Sequence, residues 1–404
     1  MKSKETSLVD KQYIIPFILV TSLFFLWGFA HAILDVMNKH FQEVLCITKA
    51  HSAFIQVTMY MGYFIMAIPA GLFINRFGYR KGVVFGLLLY GIGALLFIPG
   101  EYLASFNAFL FALFVIGCGL TFLETAANPY VTELGAKDTA ASRLNFAQSF
   151  NGLGCICAPI MVGLMLFSND EQGKNGSIAL PYVCMGVIVL AVAAIFSRIK
   201  LPEIEHGVEV DHDGRKVSLW SHKLFVFGLF ALFAYEIGEI SINSFFINYV
   251  VEQKWMNARD ASLVLSFGGL GLFMIGRFIG SWIMRRVRAE KMLLVCASGV
   301  VLTTLIVLLD VGVFSLAALL CGYAFEAIMF PTIFALSLKG LGSHTKRASS
   351  FLMMSPVGGV VGPLLMGYVA DHTTMVWSFT VPLCAYLFVW IYARKMVSVA
   401  SDYR

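Results

Sequence analysis

Five carboxylates stand in stretches that are otherwise apolar: Asp35, Glu124, Glu236, Glu239 and Glu326. At the centre of a membrane span such a group costs about 2.5–3.5 kcal/mol, and it usually faces a cavity or a partner. The one basic residue that reads as inside a span is Arg277, so these acids outnumber their cations. A carboxyl in low dielectric without a cation favours its neutral form, and a cavity that closes and reopens around it then loads and releases a proton. His31, four residues before Asp35 and on the same helical face, is placed to share or tune that proton.

Around the acids the residue types change from proton carriers to hydroxyl binders. Asn128 follows Glu124 by one turn, Asn145, Gln148 and Asn151 recur at three-residue spacing, and Gln56, Tyr60 and Tyr63 share a helical spacing. Glu239 and Asn243 join this expected binding set. Amides and carboxylates bind hydroxyls, and aromatic faces such as Trp27, Phe150 or Phe245 cover the apolar side of a pyranose, so the set suits a small sugar.

The elements that position these residues are membrane helices. The chain is 59% hydrophobic and 13% charged, about half the charged share of soluble domains, so it has no means of covering itself with a water-facing surface. At about 20 residues per span, 404 residues hold roughly twelve helices and no large soluble domain. The expected spans are 13–40, 52–75, 82–100, 104–130, 143–168, 179–198, 223–252, 260–284, 291–310, 312–338, 348–370 and 376–394. The polar stretch between spans six and seven divides the chain into a bundle over 1–198, a linker over 199–222 and a bundle over 223–404.

With both termini placed in the cytoplasm, 23 of the 29 Lys and Arg residues fall on the cytoplasmic face, five on the outer side, and Arg277 inside a span. The net charge of +5 therefore reads as topology, not as a nucleic-acid footprint. The N-terminal segment reads as a retained cytoplasmic tail. The eight cysteines form neither a CxxC pair nor a disulfide framework.

The halves repeat. Arg143, Gly154, Pro159 and Gly163 reappear 204 positions later as Arg347, Gly358, Pro363 and Gly367. ETAANP at 124–129 and EAIMFP at 326–331 each set a glutamate five residues before a proline, and Asp35 pairs with Glu239 at the same offset of 204. Internal repeats with glycine and proline in matched helices suit bundles that rock against each other.

GLFINRFGYRK at 71–81 resembles the loop G-x-x-x-D-R-x-G-R-K of the major facilitator superfamily, with Asn75 for the usual Asp and Tyr79 for a basic residue. Gly71, Arg76, Gly78, Arg80 and Lys81 are its expected gating residues, and GSWIMRRVRAEK at 280–291 is a degraded copy that adds Arg285 and Arg286 to Arg277. Arginines at such helix ends bridge to neighbouring helix termini and hold one face shut.

Over nearly its whole length the chain resembles the fucose/glucose/galactose:proton symporter family of that superfamily. The likeness is carried by GYFIMAIPAGLFINRFGYRKG, LETAANPYVTELG, RLNFAQSFNGLG, GRFIGSW, FPTIFALSLKGLG and SSFLMMSPVGGVVGPLLMG. It implies an all-α fold of twelve transmembrane helices in two pseudo-symmetric bundles, and a proton-driven monosaccharide importer of alternating-access type. It further implies that Asp35 and Glu124 couple protons, that Glu124 also meets the sugar, and that Gln148 and Asn151 face it. His31 and Ala32 stand where the fucose branch carries amides, and YEIGEISINSFFINYV is closer to the glucose/galactose branch, with Glu236 and Glu326 as additions that modulate the site.

The expected partners are a sugar, protons and the bilayer of a bacterial cytoplasmic membrane, with the chain acting as a monomer and needing no metal or organic cofactor. A sugar uniporter or a proton-coupled exporter of another small solute is the competing reading. HExxH, GxSxG and GxxxxGKS are all missing, so an enzyme is not expected.

Overall fold

The structure, a computed structural model, describes residues 8–44, 49–167, 177–199, 201–202 and 218–402. The side chains of Asp35 and Gln56 lie outside what it describes. The helices in chain order are α1 (Ile14–Val44), α2 (Lys49–Phe77), α3 (Tyr79–Leu95), α4 (Phe97–Tyr102), α5 (Phe106–Glu133), α6 (Ala140–Phe167) and α7 (Ala179–Arg198). After the polar stretch come α8 (Lys223–Glu252), α9 (Ala258–Leu263), α10 (Gly271–Ile283), α11 (Ala289–Leu308), α12 (Val313–Glu326) and α13 (Met329–Leu338). The chain ends with α14 (Thr345–Leu352), α15 (Gly358–His372), α16 (Met375–Ser378) and α17 (Thr380–Asp402).

Among the described residues, 11 helical stretches are long and apolar enough to cross a membrane. The fifth expected span corresponds to α6, whose side chains beyond Ala158 are not described. The architecture is therefore the expected all-α one, but several spans are interrupted. Span eight runs α9, a π-helical segment at Val264–Leu270 and α10; span ten breaks between α12 and α13. The break in span ten follows from Pro331, which has no N–H to give to the carbonyl of Ala327 four residues earlier.

α1 packs on α6, α5 on α2 and α3, and α3 on α7; later in the chain α8 packs on α13, α15 and α17, and α11 on α12 and α17. Matched glycines let helices approach backbone to backbone. A Cβ on Gly154 would strike the backbone of Phe25 and Phe29 in α1, and one on Gly358 would strike that of Phe233 and Ile237 in α8. The repeat of α6 in α15 is thus realised in packing. The same contacts correct the register of α1 against α8: 25 to 233 and 29 to 237 are both 208 positions, not 204. Asp35 therefore corresponds to Asn243, and His31 to Glu239, one helical turn from the pairing expected from the acids alone.

Arg143 and Arg347 also part company. Arg143 is fully buried and donates to the carbonyls of Val131 (3.1 Å) and Ala136 (2.9 Å) and to Thr139 Oγ1 (2.6 Å), closing the C-terminus of α5, whereas Arg347 is exposed.

The two groups of helices meet where α2, α5 and α6 touch α10, α13, α14 and α15. Ser142 and Ser281 exchange hydrogen bonds with each other's carbonyls at 2.7 and 2.8 Å, and Asn145 Nδ2 donates to Thr332 Oγ1 at 3.1 Å. Gly71 lies against Ser350, and the Lys346 ammonium sits 4.7 Å from the centre of the Tyr79 ring. These contacts gather in the parts of the helices that run toward the basic loops at 76–81 and 285–291.

Candidate substrate and coupling site

Glu124 lies at the inner face of α5, 7% exposed, where its Oε1 accepts a hydrogen bond from the Tyr63 hydroxyl of α2. One turn on, Asn128 is fully buried; its Oδ1 accepts from Gln148 Nε2 of α6 at 3.3 Å, and its Nδ2 faces Met353 Sδ at 3.5 Å. Carboxyl, phenol and two amides from three helices thus converge. Tyr60 lies within electrostatic range of Tyr63 on α2. The His31 ring stands 6.0 Å from that of Tyr63, its Nδ1 3.0 Å from the carbonyl of Trp27.

Asn151 is drawn to α1: oriented so that its Oδ1 faces donors, its amide accepts from Gly28 N–H (3.2 Å) and Trp27 Nε1 (2.5 Å). The residues from α8 approach the same region from the opposite side. Glu236 lies in electrostatic range of Glu124 and Glu239, and Asn243 keeps a buried Oδ1 with no hydrogen-bond partner among the described residues. Glu326, 1% exposed, accepts from Tyr386 Oη at 2.6 Å through Oε1 and leaves Oε2 without a partner among the described residues; Tyr235 Oη donates to its backbone carbonyl at 3.3 Å.

The spacing of glutamate and proline in the repeated motif has a structural reason. Pro129 cannot bond the carbonyl of Thr125, and Ser349 Oγ of α14 donates to it at 3.1 Å. Pro331 likewise frees the carbonyl of Ala327, and Arg277 Nε donates to that one at 3.0 Å. In both motifs the freed carbonyl belongs to the residue that follows the glutamate. Each acid is therefore set beside a point where another helix is tied on.

The expected gating residues divide into two groups. Arg80 donates to the carbonyls of Phe196 (3.4 Å) and Ser197 at the C-terminus of α7, as arginines at helix ends do. Gly78, at φ 87°, makes the turn into α3, and Arg76 and Lys81 flank the Phe77 ring at 5.3 and 5.6 Å. Arg286 lies over Trp282 at 5.0 Å, and Arg285 keeps a buried Nε with no partner among the described residues. Arg277 stands apart from the loops, 7% exposed within α10, and reaches across to α6, donating from Nη1 to the carbonyl of Gln148 at 3.1 Å.

Tyr235, Tyr386, Ser349, Thr332 and Met353 were not singled out by the sequence. The freed carbonyl four residues before each proline was the signal that could have pointed to Ser349.

The profile of the Major Facilitator Superfamily matches residues 17–355. A glucose/galactose transporter of Brucella abortus biovar 1 (strain 9-941) is 34% identical over 389 residues, covering 95% of this chain and 94% of the relative. The L-fucose-proton symporter of Escherichia coli (strain K12) is 34% identical over 422 residues, covering 97% and 95%. Among solved structures, the superfamily transporter FucP in the outward conformation superposes with a TM-score of 0.86 at 34% identity, covering 96% of this chain and 99% of that one. The matched proteins are transporters and not enzymes. On a profile over most of its length and relatives that span nearly all of it, the chain belongs to the Major Facilitator Superfamily of multi-pass membrane transporters, within the family that holds the fucose and glucose/galactose transporters.

Proposed function

We propose that the protein imports a monosaccharide of the fucose, galactose or glucose type together with protons, by alternating access. The observation that carries this reading is the placement of Glu124: a carboxyl held by Tyr63 in the interior, one turn from an amide pair suited to sugar hydroxyls. The relatives named for fucose-proton symport and glucose/galactose transport support it. In this reading Asp35 and Glu124 carry protons, and Gln56, Tyr60, Glu124, Asn128, Gln148, Asn151, Glu239 and Asn243 meet the sugar. His31, Glu236 and Glu326 adjust the site.

The chain is a monomer in a bacterial inner membrane with both termini in the cytoplasm, and the bundles 1–198 and 223–404 rock about the linker 199–222. The bonded end carries the basic loops, which supports its placement at the cytoplasmic face. Uptake into vesicles over a panel of hexoses, deoxyhexoses and amino sugars, with and without an inward proton gradient, tests the reading. Accumulation above equilibrium is expected only with the gradient. Equal uptake without it identifies a uniporter, and solute loss driven by the gradient identifies an exporter.

A further inference from the structure

Glu326 is more enclosed than the other described carboxyls of the site, 1% exposed where Glu124 and Glu236 are each 7%. It is the last residue of α12, at the point where span ten breaks. Phenols gather on it from separate helices. Tyr386 of α17 donates to Oε1 at 2.6 Å, and Tyr235 of α8 donates to the backbone carbonyl at 3.3 Å. Tyr323, three residues earlier on α12, keeps a buried hydroxyl with no partner among the described residues. Gly238 makes room for this arrangement, since a Cβ there would stand 2.6 Å from the Tyr386 ring.

A negative charge on this acid has nothing to balance it. Among the described residues no Lys or Arg lies within ion-pair distance, and Arg277 gives its Nε to the carbonyl of Ala327, the next residue, instead of to the acid. Glu239, the other acid in electrostatic range, repels a carboxylate here. Oε2 meets no donor among the described residues. A proton on that oxygen removes the uncompensated charge. Two features let the proton leave again. The Tyr386 hydrogen bond strengthens when its acceptor is ionised, so the anion is also held. Glu239, half-buried on α8, lies in range of Tyr235, Tyr323 and Glu326, and so links the deep acid to the more open side of the site.

We propose that Glu326 is a further proton-carrying residue, in the half opposite Asp35 and Glu124, so that each sugar enters with a proton beyond those that these two acids supply. The proposal rests on the proton-coupled reading above and adds to its proton count. The proton comes from the outer solution and leaves to the cytoplasm, and nothing else is consumed. The titratable and charged groups around Glu326 are Tyr235 and Glu239 of α8, Tyr323 of α12 and Tyr386 of α17, with Glu236 in range of Tyr235 and Arg277 on the neighbouring carbonyl. The phenols carry no charge near neutral pH, so the two glutamates share what titration this cluster has.

The first test uses the full chain in lipid bilayers and needs no sugar. Infrared difference spectra between about pH 9 and about pH 5 should contain a protonated-carboxyl band that persists in Asp35→Asn and Glu124→Gln and is missing in Glu326→Gln. Tyr386→Phe keeps the acid but removes the donor to Oε1, so the same band should remain pH-dependent and move in frequency. The second test is the proton:sugar ratio at zero net flux in vesicles, with D-galactose, D-glucose and L-fucose each tried as the carried sugar. The ratio should fall by about one proton per sugar in Glu326→Gln.

An unchanged set of carboxyl bands in Glu326→Gln overturns the proposal, because the acid then keeps one protonation state throughout. Should that variant not fold, bands in Tyr386→Phe that match the wild type overturn it equally. The transport measurement separates the proposal from the reading beneath it. A proton-coupled wild type whose ratio is the same in Glu326→Gln sinks the added carrier alone, and a wild type that carries sugar with no protons sinks the symport reading itself.

Discussion

In the proposed function, proton and sugar chemistry meet at one side chain, Glu124. Glu124→Gln keeps the shape and the acceptor for Tyr63 but removes the titratable proton, so accumulation of sugar against its gradient should be lost while exchange down the gradient survives; counterflow and active uptake measured side by side distinguish the two. Full wild-type proton uptake in that variant would remove Glu124 from coupling. Asp35 belongs to the same class of residue, and Asp35→Asn should abolish most of the sugar-induced pH change recorded in vesicles. An unaltered pH signal assigns the coupling elsewhere. The packing register matches Asp35 to the neutral Asn243, so Asp35→Asn makes the two repeat positions alike.

At the scale of helices, close approach and freed carbonyls do the positioning. α1 and α6 touch backbone to backbone at Gly154, so Gly154→Leu must push them apart, at a cost of about 3 kcal/mol from overpacking against atoms with no freedom to yield. A lowered thermal midpoint in detergent is the expected outcome, together with weakened sugar binding because Gln148 and Asn151 ride on the same helix. The prolines act in the opposite sense. Pro129 and Pro331 each open one carbonyl, and Ser349 and Arg277 fill them, which turns a defect in a helix into an attachment for its neighbour.

For the whole molecule the question is whether the bonded end must part during transport. Ser142 Oγ and Ser281 Oγ lie 3.3 Å apart across the seam, near enough for a disulfide with little backbone movement when both are replaced by cysteine. Oxidising the double variant Ser142→Cys, Ser281→Cys should cut sugar uptake at least about tenfold, and a reductant should restore it. Uptake that is indifferent to oxidation, with the disulfide confirmed by mass spectrometry, would mean that these helices do not separate. Either single variant should transport normally under both conditions.

Much of this protein is written along the chain. Hydrophobic runs of membrane length fix an all-helical, multi-pass fold because only helices satisfy their backbone in lipid, and isolated acids in those runs mark the interior because lipid does not tolerate them. The repeat of Gly154 and Pro159 in Gly358 and Pro363 was equally legible, since packing constraints leave the same residue types wherever they recur. What required the folded structure was pairing between helices far apart in sequence: Tyr63 with Glu124, Tyr386 with Glu326, and Arg277 with the carbonyl of Gln148. The register of α1 against α8 belongs there too, because a one-turn slip leaves the hydrophobic pattern unchanged and only the contacts of Gly154 and Gly358 settle it.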